Sequence, residues 1–162
     1  MKRLLILSAA MIFFTGVINA QSGDPELDYI KQAYSKEKKT IVDEYMNLDA
    51  ADSAKFWPVY AKYEASREKL SIARIKLIDE YVKNVASLSP EAASRIGDGV
   101  LKNTISVDKL NLEYFGKMKK AIGAVKAAQY IQLETYLQTT WRAVVQDNIP
   151  LIGELDKTQK EN

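Results

Sequence analysis

The chain has 162 residues, with 23 Lys and Arg against 21 Asp and Glu, and it contains no histidine and no cysteine. That length and a hydrophobic share of 47% suit one domain with its own core. The two missing residue types exclude Ser-His-Asp and Cys-His nucleophiles, zinc fingers, imidazole-bound transition metals and disulfides, so stability has to come from packing.

Lys2 and Arg3 precede an apolar stretch from Leu4 to Ile18, and Ile18-Asn19-Ala20 ends on a small residue. This is the pattern of a signal peptide over residues 1–20, cleaved after Ala20. A membrane span needs about 20 apolar residues, which the stretch does not reach. With no cysteine at the junction there is no lipid anchor either. Export is therefore expected, with the periplasm as destination. Lys2 and Arg3 are the only charged residues of that segment, so the rest carries 21 charges of each sign. A neutral chain lacks the electrostatic footprint of a nucleic-acid binder, and no such partner is expected.

Helical spacing runs through the remainder, and no strand pair joined by an Asn-Gly or Asp-Gly turn can be found. In the first helix Leu27, Ile30, Tyr34, Ile41, Tyr45 and Leu48 form one stripe, while Lys36-Glu37-Lys38-Lys39 reads as a solvated face. The second helix is predicted from the cap Asp49, with Asp52 in its first turn, to about Ala86. That is roughly 37 residues and about 55 Å, kinked at Pro58. The third starts with Ser89 as cap, Pro90 at the first position and Glu91 in the first turn. It runs to about Lys120 and is weakened near Gly97 and Gly99. The fourth spans roughly Ala124 to Asp147 and stops before Pro150. Residues 21–153 form one helical domain, and 154–162 a polar tail. The expected fold is all-α: four long amphipathic helices in antiparallel hairpins, elongated. A homodimer is expected because the second helix is too long for the others to cover.

On the second helix Phe56, Tyr60, Tyr63, Arg67, Leu70, Arg74, Leu77 and Tyr81 follow a heptad seam. Leu101, Ile105, Asp108, Leu112 and Phe115 form a stripe on the third, and Glu134 borders Tyr130, Leu133, Leu137 and Trp141 on the fourth. The charges on these stripes predict a structural polar network in which Arg67 and Arg74 pair with Asp108 and Glu134. The other reading has the long side chains reaching past the seam's edge to water. Phe56, Tyr60 and Tyr63 read as core. Trp57 lies about 100° round the helix, so it either joins the core or faces a partner or client. Lys117, Lys119 and Lys120 either complement the helix dipole or form a patch for acidic clients or anionic membrane surface.

Leu48-Asp49-Ala50-Ala51-Asp52, followed by Phe56, can be laid over Ile122-Gly123-Ala124-Val125-Lys126, followed by Tyr130. General helix-start rules give part of that likeness, but they do not require the aromatic. The paired openings resemble the two Leu-Thr-x-x-Gln motifs of the periplasmic Spy/CpxP family, and Phe56-Trp57-Pro58-Val59-Tyr60 resembles the Phe-Trp-Pro-x-Tyr run of related exported helical proteins. The resemblance covers residues 25 to about 152. Asp49 and Gly123 stand where the family has Thr, and Asp52 and Lys126 where it has Gln. It implies antiparallel helical hairpins that dimerise into a shallow cradle. Some members hold unfolded clients without ATP, and others report envelope stress to a signalling partner. Members that report metal use histidines, and this chain has none.

Catalytic chemistry finds little support. A di-iron bundle needs Glu-x-x-His pairs, and Gly97-Asp98-Gly99 lacks the rest of a phosphate loop. No short loop gathers two carboxylates with polar substrate-binding residues, as glycoside hydrolysis needs. A non-enzymatic protein is expected, without catalytic residues, metal or cofactor. It holds partly unfolded envelope proteins or, as the alternative, docks one membrane sensor as a stress adaptor.

Overall fold

The structure, a computed structural model, describes residues 25–147 and 149, with side chains described from Lys36 onward. The expected signal peptide, the polar tail, Pro150 and the stripe positions Leu27, Ile30 and Tyr34 lie outside the residues so described. Four helices account for nearly all of the rest: α1 Pro25–Met46, α2 Ala50–Asn84, α3 Pro90–Ile122 and α4 Ala124–Asp147. The protein is all-α, as expected, and no strand occurs among the described residues.

The helix starts follow the capping chemistry. The Asp49 carboxylate accepts from the Asp52 amide at 2.9 Å, and the Ser89 hydroxyl accepts from the Ala92 amide at 3.2 Å, with Pro90 behind it. Each satisfies an amide that the first turn leaves open. Helix α2 continues through Pro58 and ends at Asn84, short of Ala86, because a 3₁₀ turn over Val85–Ser87 takes its last residues. Asn47, at φ 40°, turns the chain between α1 and α2. Gly123, at φ 83°, ends α3 by donating to the Lys119 carbonyl, while its own carbonyl accepts from Ala127 in α4. That conformation is cheap only for glycine.

Contacts between α2 and α3 proceed in opposite chain directions. Tyr63 meets Asn111, Leu70 meets Asn103, Arg74 meets Val100, and Glu80 meets Arg95. Gly99 permits the approach, since a Cβ there would stand 2.8 Å from Leu77 Cδ2. At Gly97 nothing lies within 4 Å of an added Cβ. Gly97→Ala is therefore expected to stabilise the protein by about 0.5–1 kcal/mol, read as a higher urea midpoint at unchanged slope.

The core gathers at one end. Val42 and Met46 of α1, Phe56, Tyr60 and Tyr63 of α2, Tyr114, Met118 and Ile122 of α3, and Ala127, Tyr130, Leu133 and Leu137 of α4 form one cluster. Aromatic rings meet there edge to face, with Tyr130 5.3 Å from Phe56 and 6.0 Å from Tyr63 between centroids. Beyond Tyr63, no α2 side chain is fully buried, and Leu70, Ile75, Leu77, Ile78 and Tyr81 are half-covered.

Two stripes need correction. On α1 the chain buries Lys38, Val42 and Met46, leaving Ile41 half-covered and Tyr45 exposed. On α3 it buries Ile96, Asn103, Val107, Tyr114, Met118 and Ile122, while Leu101, Ile105 and Leu112 stand 64%, 52% and 73% exposed. Helix α3 has two apolar faces. The inward one also carries groups with inward partners: Asn103 donates to the Leu70 carbonyl at 2.8 Å, and the Tyr114 ring lies 5.5 Å from that of Tyr63.

Candidate functional site

Two features stand out, a buried polar network at the broad end of the bundle and the uncovered outer face of α3. The network centres on Glu134, 1% exposed. Its Oε2 lies 2.7 Å from Lys38 Nζ, and that ammonium, 2% exposed, sits 2.7 Å from Glu64 Oε1 as well. Arg67 Nε lies 4.0 Å from Glu134 Oε1, and its guanidinium donates to Glu64 at 3.2–3.3 Å. The Tyr63 hydroxyl faces Glu134 Oε1 at 2.9 Å and Asn111 Oδ1 at 2.7 Å, and Gln138 Nε2 donates to Glu134 Oε1 at 2.7 Å. Two cations thus face two carboxylates, with groups from all four helices. No buried side-chain nitrogen or oxygen among the described residues lacks a partner.

The electrostatics follow from this packing. Burial pushes the Glu134 carboxyl up, but the charge and hydrogen bond of Lys38, the Gln138 amide and Arg67 outweigh it and hold the group below the ordinary carboxylate range. Burial and the Glu134 charge push the Tyr63 and Tyr130 phenols upward, so both stay protonated.

The expected network is met in part. Arg67 and Glu134 come together. Arg74 does not meet Asp108: it donates to the Val100 carbonyl at 3.1 Å and lies 3.4 Å from Thr104 Oγ1. Asp108 is exposed alongside Leu101, Ile105 and Leu112, while Phe115 of the same stripe packs against the core. Burial, with a smaller effect from the Arg142 charge, lowers the Arg74 pKa. Sequence reasoning missed Lys38, Glu64, Tyr63 as a polar partner, Asn111 and Gln138. For Lys38 a signal existed, since it stands four residues after Tyr34 and three before Ile41, inside the apolar stripe.

The two motif-like openings touch. Lys126 bonds to the Asp52 carboxylate and lies 3.6 Å from Asp49 Oδ2, joining the starts of α4 and α2. Leu48 and Ile122 pack in or against the core beside them. Its hydrogen bond to Asp52 raises the Lys126 pKa, although the ammonium remains 40% exposed.

Trp57 is half-buried. Its Nε1 donates to Ser53 Oγ at 2.9 Å, its ring meets Phe56 and Tyr60 edge-on, and Lys39 Nζ stands 5.2 Å from the ring centroid. It thus packs against the core and borders a shallow recess shared with Lys39, Thr40 and Asp43 of α1. Lys117, Lys119 and Lys120 are exposed at the end of α3. Lys117 pairs with Glu113 at 2.6 Å and lies 4.1 Å from the Tyr114 ring centroid, and Lys119 lies 4.8 Å from that of Phe115.

The outer face of α3 carries Leu101, Ile105 and Leu112 at spacings of four and seven, interrupted by Asp108 and flanked by Lys102 and Lys109. Such a row can hold an apolar segment while its neighbouring charges keep the surface wet. Among the described residues, no group of three or more acidic side chains is placed to hold a metal ion, and no helix is long and apolar enough to cross a membrane. Comparison with protein-family models, curated proteins and solved structures finds no match to this chain.

Proposed function

We propose that this chain is an exported, ATP-independent, chaperone-like protein of the Spy/CpxP kind, which holds partly unfolded envelope proteins against the outer face of α3. It does so without catalysis or cofactor. The observation that carries this reading is the row of Leu101, Ile105 and Leu112, apolar side chains left in water on one helical face. Isolated exposed leucines are ordinary, but three aliphatic side chains aligned on one helical face, with Asp108 between them, support a binding surface. Lys119, seven residues beyond Leu112, continues the row, with Lys117 and Lys120 further round the helix; their positive charge would draw acidic clients and weaken with salt. The paired helix starts at Leu48 and Ile122 support the family likeness.

The finer architecture belongs to the same proposal: elongated antiparallel hairpins, joined as a homodimer in the periplasm. The half-covered apolar side chains of α2 beyond Tyr63 support the dimer, since a second copy would finish their burial.

Light scattering of a heat-denatured model client, with and without the chain and with no nucleotide added, tests the function. Suppression near stoichiometric ratio is expected. No suppression at several-fold excess would overturn holding. It would leave the adaptor reading, in which the same α3 face docks one membrane sensor.

A further inference from the structure

We propose that α1 is an acid-released cover, bolted to the bundle by Lys38 and let go on acidification while α2, α3 and α4 stay together. This stands whether or not the protein holds clients, because it rests on the network's charge balance.

Among the described residues of α1, Lys38 is the one network member, and it faces charged groups on two other helices. On α2 these are Glu64 and Arg67, with the Tyr63 ring 5.7 Å away. On α4 it faces Glu134, which Gln138 and Tyr130 also contact. On α3 the network member is Asn111, which bonds to Tyr63 and does not titrate. At neutral pH two cations balance two carboxylates. One added proton leaves two cations against one carboxylate, in a space where Lys38 is 2% exposed. Arg67 keeps Glu64 through their i,i+3 pairing within α2. Among the described residues Lys38 has no such partner on its own helix, so the surplus charge is relieved most cheaply by moving α1.

Among the described residues, the remaining attachments of α1 are few. Val42 and Met46 enter the core, Ile41 packs against it, and the Tyr45 carbonyl accepts from Gln129 Nε2 at 3.2 Å. The other three helices keep the Tyr63–Asn111, Tyr63–Glu134 and Leu70–Asn103 bonds and the aromatic cluster without α1. The sign agrees with the chemistry of Glu134. Its depressed pKa contributes stability at neutral pH that is lost as pH falls through it.

Trp57 supplies a probe, since Lys39, Thr40 and Asp43 of α1 stand around it. In the full chain carrying Trp141→Phe, emission and intrinsic-rate-corrected hydrogen exchange are followed from about pH 7 to about pH 3. Exchange over residues 36–46 should rise roughly a hundredfold or more in acid, while residues 56–63 and 127–137 keep their protection. The Trp57 emission should shift to the red over the same range. Glu134→Gln, which mimics the added proton, should give the open α1 at neutral pH. Lys38→Met, which removes the surplus cation, should keep α1 closed in acid. Loss of protection in all four helices together, a closed α1 in Glu134→Gln, or acid opening of Lys38→Met at the wild-type midpoint would each overturn the proposal. If Lys38→Met fails to fold, Glu134→Gln decides.

Discussion

Glu134→Ala is expected to cost about 3–5 kcal/mol at neutral pH, a large part of the stability of a domain this size. The carboxylate is 1% exposed and lies 2.7 Å from Lys38 Nζ. Removing it leaves Lys38 dependent on Glu64 alone and takes the charged acceptor from Tyr63 and Gln138. Thermal or urea unfolding reads the loss. A much smaller loss would mean that water enters the network and the pairing is not buried. Tyr63→Phe is a milder contrast, since it removes one hydroxyl and leaves Gln138 on the same carboxylate oxygen.

Phe56→Ala is expected to cost a similar amount, about 3–5 kcal/mol, by a different mechanism. Phe56 is fully buried, with Trp57, Tyr60 and Tyr130 at 5.1, 5.7 and 5.3 Å between ring centroids. Truncation leaves a cavity among aromatic rings that cannot collapse without turning edge-to-face pairs out of contact. The loss should persist in high salt, whereas surface ion pairs such as Lys102–Asp98 contribute little that salt could remove.

The helix starts were legible in the sequence because capping is local chemistry. Ser89-Pro90-Glu91 and Asp49 with Asp52 satisfy amides within one turn, and no distant contact is needed to see it. The core aromatics of α2 were legible for a related reason, since few other faces of that helix could accept Phe56, Tyr60 and Tyr63 together.

The inward face of α3 was not. Both of its faces carry aliphatic residues at helical spacing, so periodicity offers two answers. The choice falls to distant groups: the Leu70 carbonyl that takes Asn103, the Tyr63 hydroxyl beside Asn111, and the close pass of Leu77 over Gly99. The same displacement carried Asp108 out of the network and left Arg74 on a backbone carbonyl. For Lys38 the charged neighbours outweighed the signal of its place in the apolar stripe. A run of charges reads as solvated, yet one member of it points into the core, where Glu64 and Glu134 are supplied by helices far along the chain.

Whether the outer face of α3 is a holding surface is read by comparing the native chain with Leu101→Ser/Ile105→Ser/Leu112→Ser in the client light-scattering assay. All three side chains stand mostly in water, so the melting temperature should change little. Suppression of client aggregation should be lost. A variant that melts like the native chain and still suppresses aggregation fully would contradict the claim.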